Sequence, residues 1–356
     1  MKVALLGMKG EFDDLGSISG INKYMSYVYH EMCKMKGMEV TKVEYGKVAK
    51  KLPWANHAAF YIQSEFSDFR GYDIIHNPNG LRLFKKPKNS RLVTTIHDLM
   101  PVTNRERNLG GSVKEVLVSV NSRFSDYVAT EGFKLALKSD HIIVDIDYGK
   151  EELLEHFDYD KDKISTVRLA MDYKFLEAQP RNAKQQRAKF KVGYVGSFNA
   201  PKNIDFAIRA MKMIDDREII MELWGKKTLE AEVLEKSSGN DERIRFMGVA
   251  PEGQKVQIFD SFDVFVHPGV YESIIQFEAL SRGLPVIVKK GSKLSPDLLE
   301  HCIEAKDEPH MAQIIKDLKL NGYDNAKRKK SMEYARGFTW KRLTEDTVNV
   351  YKKVLG

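Results

Sequence analysis

From Asp263 to Lys289 the chain reads DVFVHPGVYESIIQFEALSRGLPVIVK, and this stretch limits the choice of fold more than any other. An apolar run, Val264 to Val266, stops at His267-Pro268-Gly269. A helical pattern then opens near Ser273, and a second apolar run starts after Gly283 and Pro285. Strand, loop, helix and strand in that order make one unit of a parallel α/β sheet. Ser273, with Gln276 three residues on, has the form of a capping box. The helix is therefore predicted to start at Ser273, with the free N–H groups of Ile274 and Ile275 facing the loop. Anions bind at such ends. Glu278, further along the helix, is a poor partner for a phosphate but a good acceptor for two neighbouring hydroxyls such as a ribose diol. These residues suit a nucleotide, although a plain core unit with a capping serine and a solvated glutamate fits the same pattern equally well.

At 356 residues, 42% of them hydrophobic, the chain suits two α/β domains of about 170 residues, each with its own core. The net charge of +7 is uneven: residues 1–180 carry 26 Lys+Arg against 25 Asp+Glu, and residues 181–356 carry 31 against 25. A mild excess of this kind fits a polyphosphate-bearing ligand or an anionic membrane surface, and is too diffuse for duplex DNA. Cys33 and Cys302 stand far apart and neither has metal-like neighbours, so an intracellular, cytoplasmic protein without a disulfide framework is expected. The first strand begins at Lys2 without a signal-like leader, and no run approaches the roughly eighteen apolar residues of a spanning helix.

Residues 2–7 read as a strand, residues 8–18 as a polar loop, and Ile21, Tyr24, Met25, Val28 and Met32 as one face of a helix closed by Gly37. The segment Ser19 to Tyr24, SGINKY, has small residues that let a ligand approach the helix start, and an ordinary surface loop accounts for it too. Further apolar runs, read as strands, fall at Glu39–Glu44, Ala58–Ile62, Asp73–His76, Arg91–Ile96, His141–Val144 and Ile164–Leu169, with a long helical pattern from Ser112 to Leu137. His97 and Asp98 follow the strand RLVTTI and so lie at the carboxyl edge of a parallel sheet, where ligands bind in open α/β folds. Capping of the next turn by Asp98 explains that pair as well.

Residues 178–189 are polar, contain Pro180 and carry no apolar period, which marks a linker between a first domain, 1–177, and a second, 190–337. Beyond the linker, strands and helices alternate regularly, as in a doubly wound parallel sheet. Gly196 to Asp205, GSFNAPKNID, places Ser197 and Lys202 above the sheet edge. A lysine beside a helix start adds its charge to the N–H groups of that start and can clamp a diphosphate, although a merely solvated lysine also fits. The final segment, 338–356, carries an apolar helical stripe and is expected to pack back on the first domain.

The order of these segments resembles that of the family 4 glycosyltransferases, retaining enzymes of the GT-B fold that use nucleotide sugars. The likeness runs through SGINKY, TIHDLMP (Thr95 to Pro101), IIVDIDYGKEELLEHF (Ile142 to Phe157), VGSFNAPKN (Val195 to Asn203), FMGV (Phe246 to Val249), YESIIQFEALSRGLPV and the terminal FTW. It implies two doubly wound Rossmann-like domains facing across a cleft. It also implies that Gly20, Ile21 and Asn22 lie against the donor phosphates and that His97 contacts the transferred sugar. Lys202, with Ser273, Ile274 and Ile275, would neutralise the diphosphate, Glu278 would hold the ribose, and Ser197, Gly248 and Val249 would line the nucleotide site. No cofactor and no metal is implied, the nucleotide sugar being a co-substrate.

The family's first carboxylate stands eight residues before the second, where this chain has Val270; Glu272 is the nearest acidic candidate for a catalytic role. Ser197 stands where a basic residue is common, and Asp145 where the family has a serine. The expected activity is transfer of a hexose from a UDP- or GDP-sugar to a hydroxyl of a glycan or lipid-linked acceptor. Peripheral contact with an anionic membrane at its inner face is a further expectation, and no nucleic-acid partner is expected. The contrasting expectation is a catalytically silent GT-B subunit that binds a nucleotide or glycan and supports a partner.

Overall fold

The computed structural model describes residues 1–13, 20–47, 53–97, 99, 127–179, 188–239 and 241–356. The chain forms two compact units, one of Met1–Arg168 with Trp340–Gly356 and one of Leu169–Thr339. Most of the expected linker lies outside the described residues.

The first unit holds a six-stranded, wholly parallel sheet in the order β2-β1-β3-β4-β5-β6. Its strands are β1 (Lys2–Met8), β2 (Glu39–Tyr45), β3 (Ile74–Asn77), β4 (Leu92–Ile96), β5 (His141–Val144) and β6 (Ile164–Thr166). β1, β3, β4 and β5 are buried along nearly their whole length, as expected of parallel strands covered by helices on both faces. One expected strand is a helix: AAFYI, Ala58 to Ile62, lies within the helix Pro53–Glu65. In a strand Phe60 and Ile62 would share a face, whereas here Phe60 is fully buried and Ile62 is 58% exposed, because residues two apart on a helix point different ways. Of the long pattern from Ser112 to Leu137, residues 127–136 are helical and the earlier part lies outside the described residues.

The helix Trp340–Leu355 belongs to this first unit. Trp340 stacks on Tyr27, with ring centroids 4.8 Å apart and planes 12° from parallel, and Tyr351 is completely buried.

The second unit repeats the plan with β7 (Phe190–Val195), β8 (Ile219–Trp224), β9 (Ile244–Gly248), β10 (Val264–His267), β11 (Val286–Lys289) and β12 (Ile303–Ala305), in the order β12-β11-β10-β7-β8-β9. All the ladders are parallel. Two apolar cores cover the sheet: one gathers Tyr194, Phe206, Met211 and Ile315, the other Phe259, Phe265, Phe277 and Phe338. Gly193, inside β7, has no side chain because Phe262 fills the space; a Cβ there would lie 2.2 Å from that ring. β12 is a three-residue edge strand with an exposed centre, too short to show an apolar period. Among the described residues, no helix is long and apolar enough to cross a membrane.

Candidate functional site

In the second unit the loops at the carboxyl ends of β7 and β10 are joined. Ala200–Lys202 forms a 3-10 turn with Pro201 inside it, and Asn203 takes up a left-handed conformation (φ 49°) before the helix Ile204–Lys212 starts. The Val270 N–H donates to Pro201 O at 3.0 Å and Asn203 Nδ2 donates to Pro268 O at 3.3 Å, so the Lys202 turn is tied to residues 268–270. A Cβ on Gly269 would sit 3.0 Å from His267 Cε1 and 3.4 Å from Pro201 O, which explains a glycine at this close approach.

Three residues beyond the tie, Ser273 caps the helix Ile274–Ser281 in the expected capping box, its N–H donating to Gln276 Oε1 at 2.8 Å. Lys202 and the helix start at Ser273, Ile274 and Ile275 thus flank one loop, and the combination offers an ammonium and free backbone donors to an anion. Ser197 Oγ is bonded to Asn199 Oδ1 at 3.1 Å within the β7 loop. Gly248 (φ 79°) ends β9 and holds Gly225 N–H through its carbonyl at 2.8 Å; Val249 beside it is 41% exposed.

Glu278 is completely buried, and Lys255 Nζ meets its Oε2 at 2.7 Å. Glu272, also buried, accepts from the Ser295 N–H at 3.1 Å. The neighbouring Tyr271 pairs with Lys293, whose N–H donates to Val270 O at 2.6 Å, so Glu272 fastens the 270–272 segment to residues 293–295.

Sequence reasoning missed His267 here. It is 1% exposed and neither ring nitrogen has a hydrogen-bond partner among the described residues; burial, and then the charge of Lys202, hold its pKa well below the usual value. In the sequence the apolar run ends at Val266 and His267 reads only as part of the loop, although a histidine at a strand's carboxyl end is the available signal.

In the first unit, Gly20, Ile21 and Asn22 open the helix Gly20–Cys33, with the approach, residues 14–19, outside the described residues. Asp98 lies outside them also. His97 spans three strand ends: its Nδ1 is 2.8 Å from Asp145 Oδ2, just past β5, and its Nε2 is 3.0 Å from Pro78 O, just past β3. A carboxylate and a carbonyl accept, so both ring nitrogens are placed to donate. Contact with a sugar through Nε2 then requires exchange of the Pro78 carbonyl for the substrate.

The Tyr24 ring lies edge-on to His97, with centroids 4.6 Å apart. Tyr24 OH meets Thr95 Oγ1 at 3.1 Å, Thr95 Oγ1 meets His76 Nε2 at 2.8 Å, and His76 Nδ1 meets Tyr351 OH at 2.7 Å. Burial, aided by nearby His97, pushes the His76 pKa down to about 3, and burial raises those of Tyr24 and Tyr351. Neither this network nor the role of Asp145 was legible locally, because the network's members come from four separate segments and Asp145 from a fifth.

Residues 189–320 match the family described as "Glycosyl transferases group 1". With the two parallel-sheet units, the structural likenesses below give the chain the two-domain α/β fold of GT-B glycosyltransferases, as the motif order implied. Among curated proteins, the chain is 23% identical over 304 residues to an O-antigen chain mannosyltransferase B of Escherichia coli, covering 80% of this chain and 75% of that one. It is also 23% identical to a D-inositol 3-phosphate glycosyltransferase of Corynebacterium diphtheriae over 313 residues, 79% and 70% of the two chains.

Among solved structures it resembles a sucrose-phosphate synthase from Thermosynechococcus elongatus, with TM-score 0.70 and 15% identity over 99% of this chain and 98% of that one. WaaG, a glycosyltransferase involved in lipopolysaccharide biosynthesis, gives TM-score 0.68 at 16% identity over 98% and 99%. Anabaena HepE in complex with UDP gives 0.67 at 12% over 99% and 100%. These structural likenesses concern the fold.

Proposed function

We propose that this chain is a retaining, metal-independent glycosyltransferase of family 4 that moves a hexose from a UDP- or GDP-sugar to a hydroxyl of a glycan or lipid-linked acceptor. One observation carries the reading: the Lys202 turn and the capped helix start at Ser273 are tied to the same loop by the Val270–Pro201 and Asn203–Pro268 hydrogen bonds. Departure of a nucleoside diphosphate develops negative charge, and a fixed ammonium with preorganised N–H donors stabilises it best in the transition state. The acceptor hydroxyl attacks on the face that the diphosphate leaves, and the departing phosphate takes its proton. Within the second unit Glu278 holds the ribose and Gly248 and Val249 border the base; by the family likeness, Gly20, Ile21, Asn22 and His97 are the donor-contacting candidates of the first unit. The complex of HepE with UDP supports a uridine nucleotide as the first donor to try. We place the protein in the cytoplasm, with peripheral contact to anionic lipid when the acceptor is lipid-linked.

The engagement of Glu272 with Ser295 favours a second reading, a GT-B subunit that binds nucleotide without transferring a sugar. Incubation with a panel of UDP- and GDP-hexoses separates the two. Turnover, a product of the donor's anomeric configuration by NMR, and a fall of about 10²- to 10³-fold in kcat/KM for Lys202→Ala are expected. A folded protein that binds nucleotide yet turns over no donor leaves the silent subunit.

A further inference from the structure

A chain of buried side chains links the helix Trp340–Leu355 to His97. Thr347 and Tyr351 stand one turn apart on that helix, and both are fully buried. The Thr347 hydroxyl donates to Leu343 O at 2.8 Å and is also a hydrogen-bond partner of the Tyr24 hydroxyl. With its own proton given to Leu343, Thr347 accepts from Tyr24. The Tyr24 oxygen then accepts from the Thr95 hydroxyl at 3.1 Å. Thr95 in turn accepts from His76 Nε2–H at 2.8 Å, which leaves Nδ1 of this neutral imidazole to accept from Tyr351 O–H at 2.7 Å.

Donation thus runs one way, from Tyr351 through His76, Thr95 and Tyr24 to Thr347, and both ends lie on one helix. All five side chains are buried. A fully satisfied set of hydrogen bonds away from solvent holds its members in a single arrangement. Tyr24 is the member that touches the candidate site: its ring stands 74° from that of His97 with centroids 4.6 Å apart. His97 is anchored by Asp145 at Nδ1 and by Pro78 O at Nε2. When a sugar takes the place of the Pro78 carbonyl, that anchor is given up, and the Tyr24 ring packed against the imidazole limits how far it can turn.

We propose that Tyr24 is a positioning residue for His97, and that the helix Trp340–Leu355, through Thr347 and Tyr351, sets where the Tyr24 ring lies. The proposal rests on the reading of His97 as a donor-contacting residue.

The test removes single hydroxyls and keeps the rings. Tyr351→Phe, Tyr24→Phe and Thr95→Val are compared with wild type in the full chain by heteronuclear NMR of histidine-labelled protein, the His97 resonances being assigned with His97→Gln. Turnover is followed as release of UDP or GDP from UDP- and GDP-hexoses without an acceptor. In each variant the His97 ring resonances are expected to shift, and kcat to fall about 10-fold while KM for the donor stays within about twofold. Tyr351→Phe combined with Tyr24→Phe is expected to lose about 10-fold rather than about 100-fold, since either change opens the same chain. Thr95→Ser, which keeps the hydroxyl, is expected to match the wild type. A purely structural role would lower Tm and leave the His97 resonances of the folded protein in place. If Tyr351→Phe does not fold, Thr95→Val is read in its place. The proposal is overturned if either the His97 resonances or kcat in the variant match those of the wild type. A wild-type protein that releases nucleotide from no donor overturns the donor reading, and the His97 resonances alone then decide the positioning role: shifted they uphold it, unshifted they overturn it.

Discussion

Arg82 and Glu11 form a buried, two-point ion pair: Arg82 Nη2 lies 2.7 Å from each carboxylate oxygen, and the side chains are 4% and 8% exposed. Glu11 Oε2 also accepts from the Met8 N–H at 2.7 Å, so the carboxylate joins the end of β1 to the segment after β3. Removing one member of such a pair leaves an uncompensated charge, whereas replacing both with apolar groups removes the problem. Arg82→Met is therefore expected to destabilise the protein by about 3–5 kcal/mol, and the double change with Glu11→Leu to recover most of the loss. Urea unfolding of the four proteins checks this cycle.

The stability of the first unit should fall in mild acid because of His76. Its folded pKa of about 3 lies far below the ordinary value of 6.5, so between those limits the unfolded chain takes up a proton that the folded one refuses. Stability from this group is complete above pH 6.5 and declines by about 1.4 kcal/mol per unit as the pH drops toward 3. Burial pushes His57 and His141 down to about 4 and steepens the decline. His76→Gln is expected to show a shallower slope between pH 6.5 and 4.5 in denaturant midpoints than the wild type does.

At the His97–Asp145 contact, Asp145→Asn removes the negative charge while preserving size. The imidazole then keeps a hydrogen bond on Nδ1 but loses its ionic partner there, so a loss of about 10- to 100-fold in kcat/KM is expected. The stability change should remain near 1 kcal/mol, since an amide oxygen still accepts from Nδ1. A transfer assay combined with thermal melting distinguishes this from general destabilisation.

The parallel repeat of strands and helices could be read in advance because buried strands show as short runs rich in apolar and β-branched residues, as in LVTTI and VFV. AAFYI misled, for five apolar residues carry too little period to separate a strand from a helix. In the candidate site, Ser273 and Gln276 were legible because a capping box is a local device of fixed spacing. The Lys255–Glu278 and His97–Asp145 contacts were not, since each joins residues more than twenty apart along the chain, and only the strand order decides which distant positions become neighbours.

The chain leaves the first unit after Arg168 and returns to it at Trp340. During synthesis, residues 169–339 are made before the segment that completes the first unit. Until residues 340–355 arrive, Tyr27 lacks its stacking partner and His76 lacks the hydroxyl of Tyr351. The earlier half of this protein is thus finished last. A nascent chain must hold β1 to β6 open to one more helix until residues 340–355 are made.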